Sequence, residues 1–118
     1  MVTIIFNLNI QGLNKSNRYS HWGKQAAAKK KQRALSCVKV ANEMALGNLQ
    51  KCSSYEVTFL RSGVRLLDDD NFIGGCKHIR DGIADALGID DGSNKLRFIY
   101  LQTKGQRKFL QVNICEKN

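Results

Sequence analysis

Residues 65–71 read Arg65-Leu66-Leu67-Asp68-Asp69-Asp70-Asn71, which puts three consecutive carboxylates into a chain of formal net charge +9. If this segment is an extended strand, its side chains alternate between two faces, and Asp68 and Asp70 point to the same side, about 7 Å apart. Two carboxylates at one spot repel each other, and a divalent cation between them removes that repulsion. The stretch therefore indicates a metal site. The alternative is a solvated acidic turn that caps the following helix.

The length of 118 residues predicts a single domain, 1–118, with one hydrophobic core. Hydrophobic residues make up 42% of the chain and charged residues 25%, a balance typical of soluble globular proteins. No apolar run approaches the ~20 residues that a membrane-spanning helix needs, so no membrane association is expected. Residues 1–9 lack the basic start of a signal peptide. Together these observations predict a cytoplasmic protein.

Charge is distributed unevenly along the chain. Seven of the ten acidic residues fall within residues 68–91, and the rest of the chain is strongly basic. A protein with an isoelectric point near 9.7 is expected to bind a polyanion. A basic surface around an acidic pocket is what a metal-dependent enzyme acting on nucleic acid needs, because cations hold phosphates and carboxylates hold metal ions. The plainer alternative is a soluble basic surface without a specific partner.

Hydrophobic periodicity predicts the element order β-α-β-α-β-β. In the long first helix, the apolar residues at 27, 34, 35, 38, 41, 45 and 46 approximate one face. The order predicts an α+β domain with a mixed sheet and two main helices. Strands are expected over residues 2–9, 54–61, 95–103 and 106–115, and helices over residues 24–47 and from a cap at 70 or 71 to 87.

Two local features of this scheme follow from short motifs. Residues 64–70 are expected to continue extended after the second strand, so that Asp70 or Asn71 caps the second helix. Lys104-Gly105 is expected to form a two-residue turn, which would join the last two strands in a hairpin.

The loop over residues 10–23 and the start of the first helix interleave basic and aromatic residues. Such a mixture suits contact with phosphates and stacking on bases. The alternatives are a surface loop whose aromatic residues pack on the core and a solvated helix face. The candidate DNA-binding residues on this basis are Lys15, Arg18, Tyr19, Lys24, Lys29 and Lys30.

Two common ligand-binding motifs are excluded. A calcium loop of EF-hand type starting at Asp68 would need glycine at its sixth position and glutamate at its twelfth, which are Ile73 and Ile79 here. Gly74-Gly75 followed by Lys77 is not a phosphate-binding P-loop, because the spacing and the Ser/Thr are missing.

The run Asp68-Asp69-Asp70-Asn71, with Lys77, Asp81 and Asp90-Asp91 after it, resembles the RusA family of Holliday junction resolvases. These are small metal-dependent endonucleases of bacteria, phages and prophages. Their pattern is Asp-x-Asp-Asn, a helix carrying a lysine and an aspartate four residues on, and an Asp-Asp turn. Asn17-Arg18-Tyr19 also stands where the N-terminal loop of the family has such an element, so the resemblance covers nearly the whole chain.

The sequence departs from the family pattern in two places. The usual position of the family's lysine, three residues after the asparagine, is held by Gly74, and Lys77 lies three residues later. The proline-rich N-terminal loop of the family is absent, since the chain contains no proline.

The resemblance implies a homodimer that binds four-way DNA junctions and nicks two strands symmetrically, in DNA recombination and repair. It implies Mg²⁺, with Mn²⁺ as a substitute, bound by Asp68, Asp70 and Asp91. Lys77 is implied as a catalytic cation that neutralises charge on the phosphate. Further implied roles are DNA contact for Asn17, and support of the ligands for Asn71, Asp81 and Asp90. The alternative is a DNA-binding protein without catalysis, such as a decayed prophage resolvase.

Overall fold

The computed structural model of the chain describes residues 1–6 and 22–117, with side chains from residue 27 onward in the second range. The α+β class and the predicted order β-α-β-α-β-β are confirmed. Neither of the two helices combines the length and the apolar character that a bilayer span requires. The elements in chain order are strand β1 (Val2–Phe6), helix α1 (Trp22–Ala45), β2 (Ser54–Gly63), α2 (Asp69–Leu87), β3 (Leu96–Lys104) and β4 (Phe109–Lys117).

The four strands form one mixed sheet in the order β1-β4-β2-β3. Strand β4 runs antiparallel to both of its neighbours, with Val112 opposite Ile4 of β1 and Phe59 of β2. Strands β2 and β3 are parallel. Parallel neighbours need a crossover connection, and α2 provides it.

The predicted hairpin between the last two strands is wrong. Strand β3 pairs with one edge of β2 and β4 with the other, so β2 separates them. Residues 105–108 pass round the end of β2, where the Gly105 N–H donates to the Gly63 carbonyl and the Ser62 hydroxyl donates to the Arg107 carbonyl, both at 2.9 Å. This arrangement gives β2 backbone partners on both of its edges.

One face of the sheet carries the core. Alternate residues of every strand point towards the helices, and Val57, Phe59 and Val112 are fully buried there. The opposite face leaves Ile5 and Leu101 about half exposed. The core is completed by one side of α2, whose buried large residues are Phe72, Cys76, Ile79, Ile83 and Leu87.

The predicted apolar face of α1 is not the face that packs. Leu35 and Val38 are exposed, and among the described side chains of α1 the buried ones are Gln32, Ser36 and Val40 at four-residue spacing. The reason is the close approach of α2. A Cβ built on Gly82 would collide with Ser36 Oγ and the Arg33 carbonyl, so the helices touch through small groups at this point.

The extended reading of residues 64–70 is also wrong. Residues 64–65 bend, and α2 already begins at Asp69, with Asp68 rather than Asp70 or Asn71 at the N-cap. Helical residues two apart point roughly 200° apart around the axis. Asp68 and Asp70 therefore do not share a strand face.

Both helices end at the glycines that the sequence indicates. Gly47 (φ 81°) follows α1 and Gly88 (φ 69°) follows α2, and both occupy the left-handed region that favours glycine. The Gly88 N–H donates to the carbonyls of Ala84 and Asp85. The helix following the acidic stretch is thus fixed at both ends.

Candidate functional site

The acidic stretch forms the start of α2. Asp68 has φ −58° and ψ 149°, and its carbonyl accepts a hydrogen bond of 2.9 Å from the Phe72 N–H. Asp69 and Asp70 lie in the first turn, where the partial positive charge of a helix N-terminus stabilises carboxylates. The Asp68 carboxylate makes no capping bond to the backbone and accepts from the Asn71 amide at 3.3 Å. All three carboxylates are exposed to solvent.

Gln102 of β3 holds the segment that leads into this stretch. Its side-chain oxygen accepts from the Leu67 N–H, and its side-chain amide donates to the Leu67 carbonyl, both at 2.9 Å. The buried guanidinium of Arg61 donates to the same Gln102 oxygen at 3.2 Å and to the Arg65 carbonyl at 2.8 Å. Burial lowers the pKa of Arg61. Strand pairing ends at Gly63. For residues 65–67, the side chains of Arg61 and Gln102 thus supply the hydrogen bonds to the backbone.

Replacing Gln102 by alanine is expected to lower the free energy of unfolding by about 1–3 kcal/mol, because it leaves the Leu67 backbone groups and the Arg61 Nη1 short of a partner. Urea unfolding followed by circular dichroism measures the loss. Gln106→Ala, at an exposed position of the neighbouring loop, is the matched control. Equal stabilities for the two variants would contradict this role of Gln102.

A second acidic group lies at the other half of α2. The pKa of Asp91 is raised above its ordinary value by burial, by the hydrogen bond and negative charge of Asp81, and by a hydrogen bond with Asp90. Charge repulsion between Asp91 and Asp81 is therefore part of the folded state. A bound cation would relieve it.

Arg80 is the nearest counter-charge to Asp91. Its Nε lies 3.6 Å from Asp91 Oδ2, and this Nε is buried and has no hydrogen-bond partner among the described residues. Its Nη1 donates to the Tyr100 hydroxyl at 3.1 Å, which fixes the guanidinium against β3. Arg80 therefore offsets the Asp91 charge only in part.

Arg33 of α1 closes this acidic region from the other side. It donates to Asp85 through Nε (2.7 Å to Oδ2) and Nη2 (2.9 Å to Oδ1), and this ion pair lowers the pKa of Asp85 and raises that of Arg33. The pair borders a surface pocket of about 160 Å³, which we call the acidic pocket. Its other lining residues are Asp81, Ala84, Ile89, Asp90 and Asp91.

The structure places the predicted metal ligands at two positions. Asp68 and Asp70 lie at the start of α2, and Asp91 lies beside Asp81, which is eleven residues after Asp70 and roughly 16 Å further along the helix axis. Among the described side chains, no three His, Cys, Asp or Glu residues are placed to hold a metal ion together. The carboxylate oxygens suit Mg²⁺ or Mn²⁺, but the three predicted ligands do not meet at one point.

The predicted basic residues are only partly described. Lys77, Lys29 and Lys30 are exposed on the two helices. Lys24 lies in α1, but its side chain is outside the described set. The remaining DNA-contact candidates lie outside the described residues; they are Lys15, Asn17, Arg18 and Tyr19.

Several residues of the site carry no motif in the sequence. No motif marks Arg61, Gln102 or Arg80, and only their hydrogen bonds and ion pairs in the folded chain identify them. Arg33 and Asp85 belong to different helices, so no local spacing connects them. The pattern Lys77, Asp81, Asp85, with steps of four, was the one available signal for an acidic helix face.

The arrangement combines two acidic positions along α2 with cations on both helices. Carboxylates of this kind can bind a hard cation, and the cations can bind phosphate. Comparison of the chain with protein-family models, with curated proteins and with solved structures finds no match in any of the three.

Proposed function

We propose that this protein is a Mg²⁺-dependent endodeoxyribonuclease that resolves four-way DNA junctions by paired phosphodiester hydrolysis. The observation that carries the proposal is the acidic pocket, in which Asp81, Asp90 and Asp91 lie together beside Arg33 of α1. Holding carboxylates this close costs stability unless a cation is bound. The resemblance of Asp68-x-Asp70-Asn71 to the RusA family supplies the reaction class.

The chain's own residues have distinct tasks in this proposal. Asp68, Asp70 and Asp91 supply carboxylate oxygens, and Mg²⁺ usually takes one or two of these together with substrate phosphates. When bound, Mg²⁺ polarises the phosphate and lowers the pKa of the attacking water. Lys77 neutralises charge on the phosphate oxygens. Asn71 orients Asp68 through their hydrogen bond, and Asp81 and Asp90 raise the pKa of Asp91, so a bound cation would favour its ionised form.

A homodimer and a cytoplasmic location belong to the same proposal. Two symmetric nicks in one junction need two active sites, and a dimer supplies them. Leu35 and Val38 of α1 and Leu46 just after it leave apolar surface exposed, which supports burial against a second copy. The DNA substrate places the enzyme in the cytoplasm.

The purified protein is expected to nick a synthetic four-way junction at paired positions in Mg²⁺ or Mn²⁺ and to leave linear duplex of the same sequence intact. Gel analysis of end-labelled junctions measures this. Chelation should stop the reaction, and renewed Mg²⁺ should restart it. Junction binding without any cleavage, in either metal, would contradict the enzymatic proposal.

A second candidate function is DNA binding without catalysis. The separation of Asp68 and Asp70 from Asp91 along α2 favours it, because hydrolysis in the proposed form needs these carboxylates at one phosphate. The two candidates differ in one result. A non-catalytic protein binds the junction and never cuts it, with or without Mg²⁺.

A further inference from the structure

Two lysines and a histidine lie near one another at the crossing of α1 and α2. Gly82 marks the closest contact between the helices, against Arg33 and Ser36. His78 lies one turn before Gly82 on α2, and Lys29 lies one turn before Arg33 on α1, so both are on the facing sides of the helices. Lys77 precedes His78. We call Lys29, Lys77 and His78 the cationic seam.

The cationic seam lacks compensating carboxylates. Among the described residues, the side-chain ion pairs are Arg33–Asp85, Arg80–Asp91 and Arg97–Glu56, and none of them includes Lys29 or Lys77. Both lysines are exposed and His78 is half-buried. Like charges brought together this way disfavour one another, and an anion placed among them would be stabilised.

The electrostatics of His78 agree with this geometry. Burial and the charge of Lys29 lower its pKa, Lys77 and Arg33 act in the same direction, and Asp81 opposes them. The groups that face His78 are therefore Lys29 and Arg33 from α1 and Lys77 and Asp81 from α2. In the free protein these neighbours favour the neutral imidazole of His78, because they hold its pKa below the usual value.

We propose that the cationic seam binds a backbone phosphate of a DNA duplex arm, beside the acidic pocket. The charge complementarity carries this choice of partner: two exposed lysines outside the described ion pairs flank the half-buried His78. The inference rests on the proposed function in that DNA is the partner, and it adds His78 to the residues that contact the substrate.

The test is the salt dependence of binding to a fluorescent linear duplex without divalent metal, measured by anisotropy. Each lysine that releases a counterion contributes about 0.9 to the slope of log affinity against log salt. Lys29→Gln and Lys77→Gln are each expected to reduce the slope by about 1. Lys51→Gln is the matched control, because residue 51 lies beyond the far end of α1. That helix ends at Ala45, which is about 24 Å along the axis from Lys29.

His78 gives an independent readout. A bound phosphate favours the protonated imidazole, so wild-type affinity is expected to rise as pH falls from about 7.5 to 5.5. His78→Gln is expected to abolish that rise while leaving the salt slope at pH 7.5 unchanged. A role limited to packing would not flatten the pH profile.

The outcomes separate the two proposals. If both lysine variants keep the wild-type salt slope, the proposed role of the cationic seam is overturned, but DNA binding by the protein is not. Absence of salt-dependent binding in the wild type would overturn both. The lysine variants could instead lose binding to vesicles that contain phosphatidylserine while their salt slope for DNA stays unchanged. That result would assign the cationic seam to a membrane surface and overturn the proposal.

Discussion

Gly82→Ala is expected to lower the free energy of unfolding by about 3 kcal/mol, at the upper end of the usual cost of overpacking. The added Cβ would collide with the Arg33 carbonyl, which belongs to the backbone and cannot rotate away. It would also collide with Ser36 Oγ, whose hydrogen bond to the Ile79 carbonyl (3.0 Å) joins the helices. Relief requires α1 to move off α2. Urea unfolding followed by far-ultraviolet circular dichroism measures the loss.

Gly74→Ala is the matched control, because it makes the same substitution in the same helix. No atom lies within 4 Å of a Cβ at Gly74, and the position is exposed. Alanine is the better helix former by about 1 kcal/mol, so this variant is expected to be at least as stable as the wild type. If Gly82→Ala were equally stable, the helices would not approach as closely as the structure has them.

This close approach explains why α1 was harder to predict than α2. The apolar residues of α2 at 72, 76, 79, 83 and 87 are the ones that bury, because this helix packs directly on the sheet. In α1 the residue that faces Gly82 must be small, and Ser36 is buried where Leu35 is not. Hydrophobic periodicity reports which residues are apolar, whereas packing at short helix distance selects for size.

Element types were predictable because they depend on local pattern, but strand neighbours were not. Turn residues at Lys104-Gly105 indicated a hairpin, and the glycine does serve a tight connection. Its partner is Gly63 of β2, more than forty residues earlier in the chain, and β4 lies beyond that strand. A turn motif specifies that the chain reverses. Which strands become neighbours in the sheet depends instead on the burial of β2 between two partner strands.

The candidate site was predictable in its residue types and less so in its geometry. Three adjacent aspartates indicated one metal position, but their helix start puts Asp68 and Asp70 on different sides. Asp91 was expected with them and instead lies against Asp81. That contact depends on how the turn after Gly88 folds back on α2, which no spacing in the sequence encodes.

Asp91→Asn is expected to reduce Mg²⁺-dependent junction cleavage by more than about 100-fold, since losing even an indirect partner of a metal ligand typically costs 10- to 100-fold. The same variant is expected to be more stable than the wild type. Burial and Asp81 raise the pKa of Asp91 in the folded state, so its ionisation costs stability as pH rises through the unfolded and then the folded pKa. Asparagine removes that cost at pH 7. Cleavage assays and thermal unfolding at pH 7 and pH 3 measure both effects.

Asp69→Asn makes the same chemical change at a carboxylate that has no proposed role in catalysis. It is expected to retain cleavage and to lose about 0.3–1 kcal/mol, because it removes a favourable charge from the start of α2. The two variants therefore move activity and stability in opposite directions. Opposite effects on activity and stability are expected at a functional site, because repelling charges are retained there when they bind a ligand. If Asp91→Asn cleaved normally while becoming more stable, Asp91 would be a repelled surface carboxylate and not a metal ligand.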